Sequence, residues 1–494
     1  MLGEGSATLI AAMPARLNRR EALTAMLAAG SLRAAPPADT RQASGIRIGE
    51  VSTDSAVIWT RRTAAASRLN DGIPRIGAGD DAGFIEPGQK ISDFEGSCPG
   101  AEGAVRVRLE PADERGRRQT LDWVDVDPAS DYSHQFRVDG LTAGTEYRFA
   151  VETRGAGGRR ADETLTGRFR TAPSEDRPEK INFILSSCQK YCRQDRPEGF
   201  AIYRAIEKRQ PAFLVSSGDN VYYDSEDPVV NSEAAARYHW HRMYSLPTLH
   251  SCLRNVPGYW QKDDHDLYSD DCWPGKETEK MLPFTFEQGQ RLFREQTPAP
   301  RPEDPWFRRF RWGREVELFL PEGRDYRTPN PEPDGPEKTI WGDEQRQWLE
   351  DALRASTARW KFVVNPNPII GPDHPRKNDN HANPAFATEG REFRQWLKEN
   401  VEGQVFLMNG DRHWQYHSVD PETGVEEFGC GPASDAHAVP PGAGEDPEYH
   451  RFLRIKGGFL NVAVNPEDRD EAVVLEHCDV DGKVMNRRVV ERRG

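Results

Sequence analysis

The sequence predicts an α/β protein in which a small β-sandwich precedes a larger domain of alternating strands and helices. Residues 45–175 contain short segments of alternating or β-branched residues, separated by Gly, Pro and Asp turns and without a helical stretch. After Lys180 the strands become continuous apolar runs, as strands buried on both faces require, and amphipathic segments lie between them.

Seven predicted strands occupy the first part of the chain, and this number of short strands is typical of a β-sandwich. The segment GLTAGTEYRFAVET (140–153) resembles the corner of a fibronectin type III domain, where a tyrosine closes the sandwich edge. A polar, proline-containing linker is predicted at 171–180. The predicted strands are IRIGEV, SAVIWTRR, AVRVRLE, TLDWVDV, HQFRVDG, EYRFAVETR and GRFRTAP.

The second part, residues 180–494, is predicted to be an α/β domain with sheet layers inside. Apolar side chains repeat at helical spacing around Phe200, around Trp348 and around Phe393. The C-terminal tail returns to strands. The predicted buried strands are INFILSSC, AFLVSSGD, KFVVNPNPII and VFLMNGD, followed in the tail by FLNVAVN and AVVLEHCDV.

Composition excludes two classes of function. The formal net charge of -14 argues against a general nucleic-acid binder, because the chain has no broad basic face. No run of about 18 apolar residues occurs, so no transmembrane helix is expected. The seven cysteines are sparse and odd in number, so one or two disulfides are compatible and at least one thiol remains available as a metal ligand.

Residues 1–35 resemble a twin-arginine export signal. Arg19 and Arg20 precede a short segment rich in Ala and Leu, and small residues follow at LRAAPP. The alternative is an ordinary short helix that carries two arginines. An export signal predicts a periplasmic or extracellular protein in which this segment is not part of the fold.

Side chains that bind metals follow four of the predicted strands. Because the carboxyl ends of strands in an open α/β sheet converge on one edge, these side chains are expected to lie together. Taken singly, each has a simpler explanation, such as a turn after a strand or a small buried side chain. The residues are Cys188 after INFILSS, Asp219 after AFLVSSG, Asp263, Asp264 and His265 after GYWQK, and Asp411 and His413 after VFLMNG.

The stretch QKDDHDLYSDD (261–271) contains five aspartates and one lysine. A solvated acidic loop is one interpretation, and a carboxylate cluster that collects cations is the other. Oxygen ligands suit calcium, magnesium or ferric iron, whereas thiolate and imidazole suit a transition metal. Two cations about 3.5–4 Å apart hold a phosphate and activate a water for in-line attack. Asp270 and Asp271 are expected either among the ligands or at the rim.

The motifs SSCQ, GDNVYYD, DDHD and NGDRHWQYH, in this order, resemble the PhoD-like family of metallophosphoesterases, which are alkaline phosphatases and phosphodiesterases related to purple acid phosphatases. The resemblance continues in EGRDYRTPN, IWGDEQRQWLEDAL, NPIIGPD and EFGCGPASD and covers essentially all of 45–490. It implies a four-layer αββα catalytic domain, preceded by the fibronectin-like sandwich. It also implies a site that holds ferric iron (Fe3+) with calcium (Ca2+).

The resemblance further implies a role for each motif residue. His265 would protonate the leaving oxygen or hold the phosphate, and Asp219 would bridge the metals. A tyrosinate is also expected on the iron, from Tyr238 in ARYHWHRMY or from Tyr222, with Tyr238 preferred. The other implied metal ligands are Cys188, Asp264, Asp411 and His413.

The sequence departs from the family pattern in three places. Lys262 replaces a tryptophan, Asp270 replaces an asparagine, and PEGRDYR (321–327) stands where the family has LDTRSYR. Arg324 and Arg327 are candidates to bind phosphate bidentately, or else to pair with the acidic loops. His381, in the polar insertion KNDNHAN, is a candidate substrate contact, with a solvated loop as the alternative.

Together these observations predict an exported, metal-dependent phosphatase or phosphodiesterase that acts on small-molecule or lipid phosphate esters. A phospholipase D-like phosphodiesterase on the same scaffold is one alternative. A non-catalytic surface-binding protein is the other, and it would be expected to lack several of the ligands named above. The sequence does not predict the natural substrate or the oligomeric state.

Overall fold

The computed structural model of the chain describes residues 41–113, 116–442 and 444–492. The described residues belong to one compact unit. The predicted export segment at 1–35 lies outside them.

The described residues form three β-sheets. The strands are β1 (Ile46–Gly49), β2 (Ser55–Arg61), β3 (Gly103–Pro111), β4 (Gln119–Thr120), β5 (Val124–Asp125), β6 (Ser133–Asp139), β7 (Glu146–Gly155), β8 (Glu163–Arg170), β9 (Ile181–Ser186), β10 (Phe213–Ser217), β11 (Gly258–Gln261), β12 (Arg308–Trp312), β13 (Val316–Leu320), β14 (Trp360–Val364), β15 (Gln404–Asn409), β16 (Gln415–Val419), β17 (Glu426–Cys430), β18 (His450–Arg454), β19 (Phe459–Val464), β20 (Val473–Cys478) and β21 (Val484–Val490).

Two large mixed sheets pack face to face at the centre. One has the order β21-β20-β19-β9-β10-β11-β1-β2-β6, and the other has the order β12-β13-β14-β15-β17-β16-β18. Aromatic rings fill the space between them: Phe183 lies 5.1 Å from Phe362, and Phe213 lies 4.6 Å from Trp312, between ring centroids. The apolar runs predicted as buried strands therefore form the central layers.

Helices cover the outer faces of both sheets. Leu249 and Phe293 pack with Leu214 on the nine-stranded sheet, and Leu349 and Phe393 pack on the seven-stranded sheet. This arrangement confirms the four-layer αββα architecture. The helices are α1 (Ala201–Arg209), α2 (Glu233–Tyr244), α3 (Pro247–Cys252), α4 (Asp264–Leu267), α5 (Phe286–Gln296), α6 (Gly342–Ala355) and α7 (Ala387–Asn400).

The N-terminal sandwich shares a sheet with the catalytic layers. Strand β1 pairs in parallel with β11, so β1, β2 and β6 form one end of the nine-stranded sheet. The smaller sheet consists of β3, β4, β5, β7 and β8 and packs against this end. Its Val107 and Phe149 belong to the same core as Phe213. The predicted linker at 171–180 therefore separates two stretches of sequence but does not divide the hydrophobic core.

The fibronectin-like corner is present, because the Tyr147 hydroxyl accepts a hydrogen bond from the backbone N–H of Thr142 at 2.9 Å. All seven cysteine thiols are unpaired. Every helix in the described ranges falls short of the length or apolar content that a membrane span requires.

Candidate metal centre

Three of the predicted ligands follow strands in a left-handed backbone conformation. The φ angles are 54° at Cys188, 55° at Asp219 and 59° at Asp411. Residues other than glycine rarely adopt this region, and each such residue costs about 1–3 kcal/mol. Neighbouring groups hold the first loop in place, since Nδ1 of His437 lies 3.0 Å from the carbonyl oxygen of Cys188. The concentration of unusual backbone at these strand ends marks them as a functional region.

Five predicted residues converge in two adjoining groups. Cys188, Asp219 and His413 form one group, and Asp219, Asp264 and His265 form the other. Within each group the candidate ligand atoms all lie within 4.8 Å of one another. Asp219 belongs to both groups, which is the position that a bridging carboxylate requires.

The environment of Asp219 suits a bound cation. Its side chain is buried, its Oδ2 accepts a hydrogen bond from Tyr222 at 2.8 Å, and its Oδ1 has no partner among the described residues. Burial and the nearby Asp264 carboxylate raise the pKa of Asp219 well above its ordinary value, although His265 opposes this. A buried carboxylate with an unpartnered oxygen is costly unless a positive charge compensates it.

Burial also shifts the pKa values of Cys188, Asp411 and His413. Burial and the Asp219 carboxylate raise the pKa of the Cys188 thiol well above its ordinary value. Desolvation, with the nearby carboxylates of Asp379 and Asp263, does the same to the pKa of Asp411. Desolvation and the nearby His265 lower the pKa of His413 to about 3, so its imidazole is neutral and available as a ligand.

The two candidate tyrosines occupy different places. The Tyr222 hydroxyl bonds to Asp219 and lies 3.5 Å from Nε2 of His413, so it is part of the first group. The Tyr238 hydroxyl instead donates to the backbone carbonyl of Glu95 at 2.6 Å, and its ring packs edge-on against Phe94. The preference for Tyr238 is therefore corrected in favour of Tyr222.

A residue not singled out from the sequence holds His265. Nδ1 of His265 lies 2.6 Å from Oδ1 of Asp224, whose Oδ2 accepts the backbone N–H of Asp270 at 2.9 Å. Desolvation alone would lower the pKa of His265, but the Asp224 and Asp264 carboxylates raise it well above its ordinary value. Asp224 is the last residue of the motif GDNVYYD. The local sequence pattern does not predict that it pairs with His265.

Two aspartates of the acidic stretch are held by the protein itself. Asp263 is fully buried, accepts hydrogen bonds from Nδ2 of Asn367 at 3.1 and 3.2 Å, and contacts Arg324. Asp266 accepts backbone N–H groups, among them that of Val221 at 3.0 Å. These carboxylates point into the protein, so they are not available as ligands in the cleft.

Arg324 lies beneath the site and does not line the cleft. Its side chain is fully buried, contacts Asp263, and lies 3.8 Å from Asp264 and 3.5 Å from Asp379. The prediction that it binds substrate is therefore not supported, and the alternative of pairing with the acidic loops describes its position. Its charge stabilises a buried group of carboxylates.

His381 is also remote from the cleft. Its side chain is buried, Nε2 lies 2.8 Å from Oε2 of Glu389, and its ring centroid is 4.4 Å from that of Trp341. The neighbouring Asp379 and Asn380 are buried as well. This part of the insertion is neither a substrate contact nor the solvated loop proposed as the alternative.

The departures at Lys262 and at PEGRDYR are partners in the structure. The fully buried Nζ of Lys262 lies 3.0 Å from Oε1 of Glu322 and 2.8 Å from Oδ2 of Asp325. Both carboxylates belong to PEGRDYR, and the lysine directly precedes Asp263. Lys262 therefore compensates two carboxylates of this segment.

The two groups open onto a cleft of about 490 Å³. Carboxylates and imidazoles at the strand ends line this cleft together with side chains of the loop 371–383. Asp270 and Asp271 lie at the rim, and with Asp264 they form a third acidic group. The lining residues are Asp219, Asp264, His265, Asp270, Asp271, Asp373, His374, Arg376, Lys377, Asp411, Arg412, His413, Trp414, Val439 and Pro440.

The donor set fits metal ions of two kinds. A thiol, an imidazole and a phenol surround one side of Asp219, and such ligands suit a transition metal. Asp264, in the second group, and Asp411, which lines the same cleft, offer only oxygen atoms, which suit a hard cation such as calcium.

Comparisons with known proteins agree with this architecture. The sequence model described as PhoD-like phosphatase matches residues 183–449, and that of the PhoD-like phosphatase N-terminal domain matches residues 27–173. Alkaline phosphatase D of Bacillus subtilis (strain 168) is 23% identical over 358 residues, which cover 65% of this chain. The chain spans 54% of the length of that relative.

Two solved structures share the fold. A structure of PhoD superposes with a TM-score of 0.68 at 17% identity and covers 93% of this chain and 90% of its own. A purple acid phosphatase from yellow lupin (Lupinus luteus) seeds superposes with a TM-score of 0.55 at 12% identity and covers 90% of this chain and 74% of its own. These similarities confirm the predicted fold class, and the first family model spans more than half of the sequence. The chain belongs to the PhoD-like phosphatase family.

Proposed function

We propose that the chain hydrolyses phosphate esters through attack of a water on phosphorus. The observation that supports this most directly is Asp219, a buried carboxylate shared by two groups of ligand-type side chains and left with one unpartnered oxygen. The similarity to a relative named alkaline phosphatase D supports the same activity.

Two cations are proposed for the site. Ferric iron would be held by Cys188, Asp219, Tyr222 and His413, and calcium by Asp219 with Asp264 and Asp411. When bound, such cations offset the charge of the phosphoryl group and lower the pKa of an attacking water.

His265 is proposed to protonate the leaving oxygen. Asp224 binds Nδ1, so Nε2, which lies 3.7 Å from Oδ1 of Asp270, is the ring nitrogen left for the substrate. The carboxylates around the ring favour its protonated form, which is the form that a general acid needs before the ester bond breaks. Asp224 therefore acts as the positioning residue of this pair.

Small-molecule and lipid phosphate esters are the proposed substrates, because Asp219, Asp264, His265, Asp411 and His413 line a cleft of about 490 Å³. Export through the twin-arginine route is proposed on the basis of Arg19 and Arg20 alone.

The experiment combines elemental analysis with hydrolysis of p-nitrophenyl phosphate and bis(p-nitrophenyl) phosphate. Chelation should abolish hydrolysis, and iron with calcium should restore it. His265→Ala should lower kcat by roughly 100–10,000-fold while bound metal is retained. His134→Ala is the matched control, since this half-buried imidazole lies on β6 against Phe136 and away from the cleft.

Full activity in a sample shown to be free of metal would overturn the proposed mechanism. Loss of metal from His265→Ala, but not from His134→Ala, would instead identify His265 as a ligand.

A further inference from the structure

Basic side chains line the cleft together with the ligand groups. His374, Arg376 and Lys377 come from one loop, residues 371–383, and share the cleft with Asp264 and His265. Of these three side chains, that of Lys377 contacts the acidic rim through its ammonium, and it is 33% exposed. It can therefore meet both the protein and a ligand in the cleft.

Two carboxylates fix the position of this ammonium. Nζ of Lys377 lies 2.6 Å from Oδ1 of Asp271 and 3.2 Å from Oδ1 of Asp270. A lysine ammonium has three N–H donors, and no third acceptor bonds to Lys377 among the residues described in the structure. One donor therefore remains for a ligand, on a side chain that is already held in place.

We propose that Lys377 binds a phosphoryl oxygen of the substrate and makes the site favour phosphate monoesters over diesters. This inference rests on the proposed hydrolysis of phosphate esters. A monoester has a second pKa of about 6 and is a dianion at neutral or alkaline pH, whereas a diester carries one negative charge. An extra cation in the cleft attracts the dianion more strongly, because the Coulomb energy scales with charge.

A purely structural role for Lys377 makes a different prediction. If its ammonium only ties the 371–383 loop to the acidic rim, its loss would affect both ester classes equally. Lys276 provides a matched control, because its Nζ also contacts this rim, donating to the backbone carbonyl of Asp270 at 2.5 Å. It lies over the ring of Trp273 and is not one of the residues that line the cleft.

The test uses the metal-loaded full chain and its Lys377→Met, Lys377→Gln and Lys276→Met variants. Calorimetry measures the Kd of inorganic phosphate, and kcat/KM is measured for p-nitrophenyl phosphate and bis(p-nitrophenyl) phosphate. Loss of one charged contact should weaken phosphate binding and monoester kcat/KM by roughly 10–100-fold in both Lys377 variants. Diester kcat/KM should fall by about 3-fold or less, and Lys276→Met should match the parent in all three measurements.

Unchanged phosphate binding in folded, fully metal-loaded Lys377→Met would overturn the inference. Equal losses for both esters would also overturn it and assign Lys377 a structural role. Phosphate binding separates this inference from the proposed function. If the parent hydrolyses neither ester but loses phosphate affinity on Lys377→Met, hydrolysis is wrong and the anion contact stands. If the parent binds no phosphate, the contact is wrong.

Discussion

Replacement of Lys262 by methionine tests how the buried layer beneath the cleft is held together. The lysine ammonium is fully buried between Glu322 and Asp325, whose side chains are 4% and 13% exposed. Methionine keeps most of the length of the side chain but removes the charge. Two largely buried carboxylates then lose their shared cation, so we expect Lys262→Met to lower the free energy of unfolding by about 3–5 kcal/mol.

The magnitude follows from the two distances. At about 3 Å and an effective dielectric constant of about 20, each Lys262–carboxylate pair attracts by about 5 kcal/mol. Desolvation of the three groups offsets much of this sum, so the net value of the triad is small. Removing the lysine alone keeps the desolvation cost of Glu322 and Asp325 and loses the attraction.

Equilibrium unfolding in urea measures the effect on the metal-loaded chain. Lys483→Met is the control, since Lys483 is exposed and its loss should change stability by less than about 0.5 kcal/mol. Adding Asp325→Asn to Lys262→Met should restore part of the lost stability, because one of the two uncompensated charges is then removed. Stability of Lys262→Met equal to that of Lys483→Met, or no recovery in the double variant, would refute the compensation.

Two further predictions concern the iron and the export segment. A tyrosinate or thiolate on ferric iron absorbs visible light. Tyr222→Phe should therefore shift or weaken the visible band, whereas Tyr238→Phe should leave it unchanged. A band that is lost in Tyr238→Phe and kept in Tyr222→Phe would reinstate Tyr238 as the ligand. The double variant Arg19→Lys, Arg20→Lys should accumulate as precursor in the cytoplasm, which cell fractionation and immunoblotting would detect. Arg33→Lys is the control. Unchanged export of the double variant would assign the N-terminus another role.

Most of the strands could be predicted because their apolar patterns are local. Strands β12, β13, β16, β17, β18 and β21 were not predicted individually. In β12, for example, Arg308, Arg309 and Arg311 dominate the strand and hide its pattern. One partner of Arg308 is distant in sequence. Arg308 donates a hydrogen bond to Glu50, and the sequence alone does not predict this pair. The pairing of β1 with β11 was missed for the same reason, because it joins segments about 200 residues apart.

At the candidate site, the sequence identified which strand ends meet, because topology brings the carboxyl ends of strands together. It did not identify which polar side chains face the cleft. Tyr238 and His381 both lie in plausible positions along the chain, yet Glu95 and Glu389, respectively, hold them elsewhere. Which polar side chains face the cleft depends on contacts between residues that are tens or hundreds of positions apart in the sequence, and no local motif predicts such contacts.

The acidic stretch 261–271 shows how those contacts locate the site. Arg324 compensates Asp263, backbone amides bind Asp266, and Lys377 binds the two aspartates at the rim. Among the five aspartates, Asp264 is the one that shares a ligand group with the unpartnered Asp219. Asp264 itself accepts the backbone N–H groups of His265 and Asp271 and lies 3.8 Å from Arg324, so the carboxylate oxygen of this ligand group that lacks a partner is on Asp219. The solvated-loop and metal-cluster interpretations therefore each describe only part of this stretch.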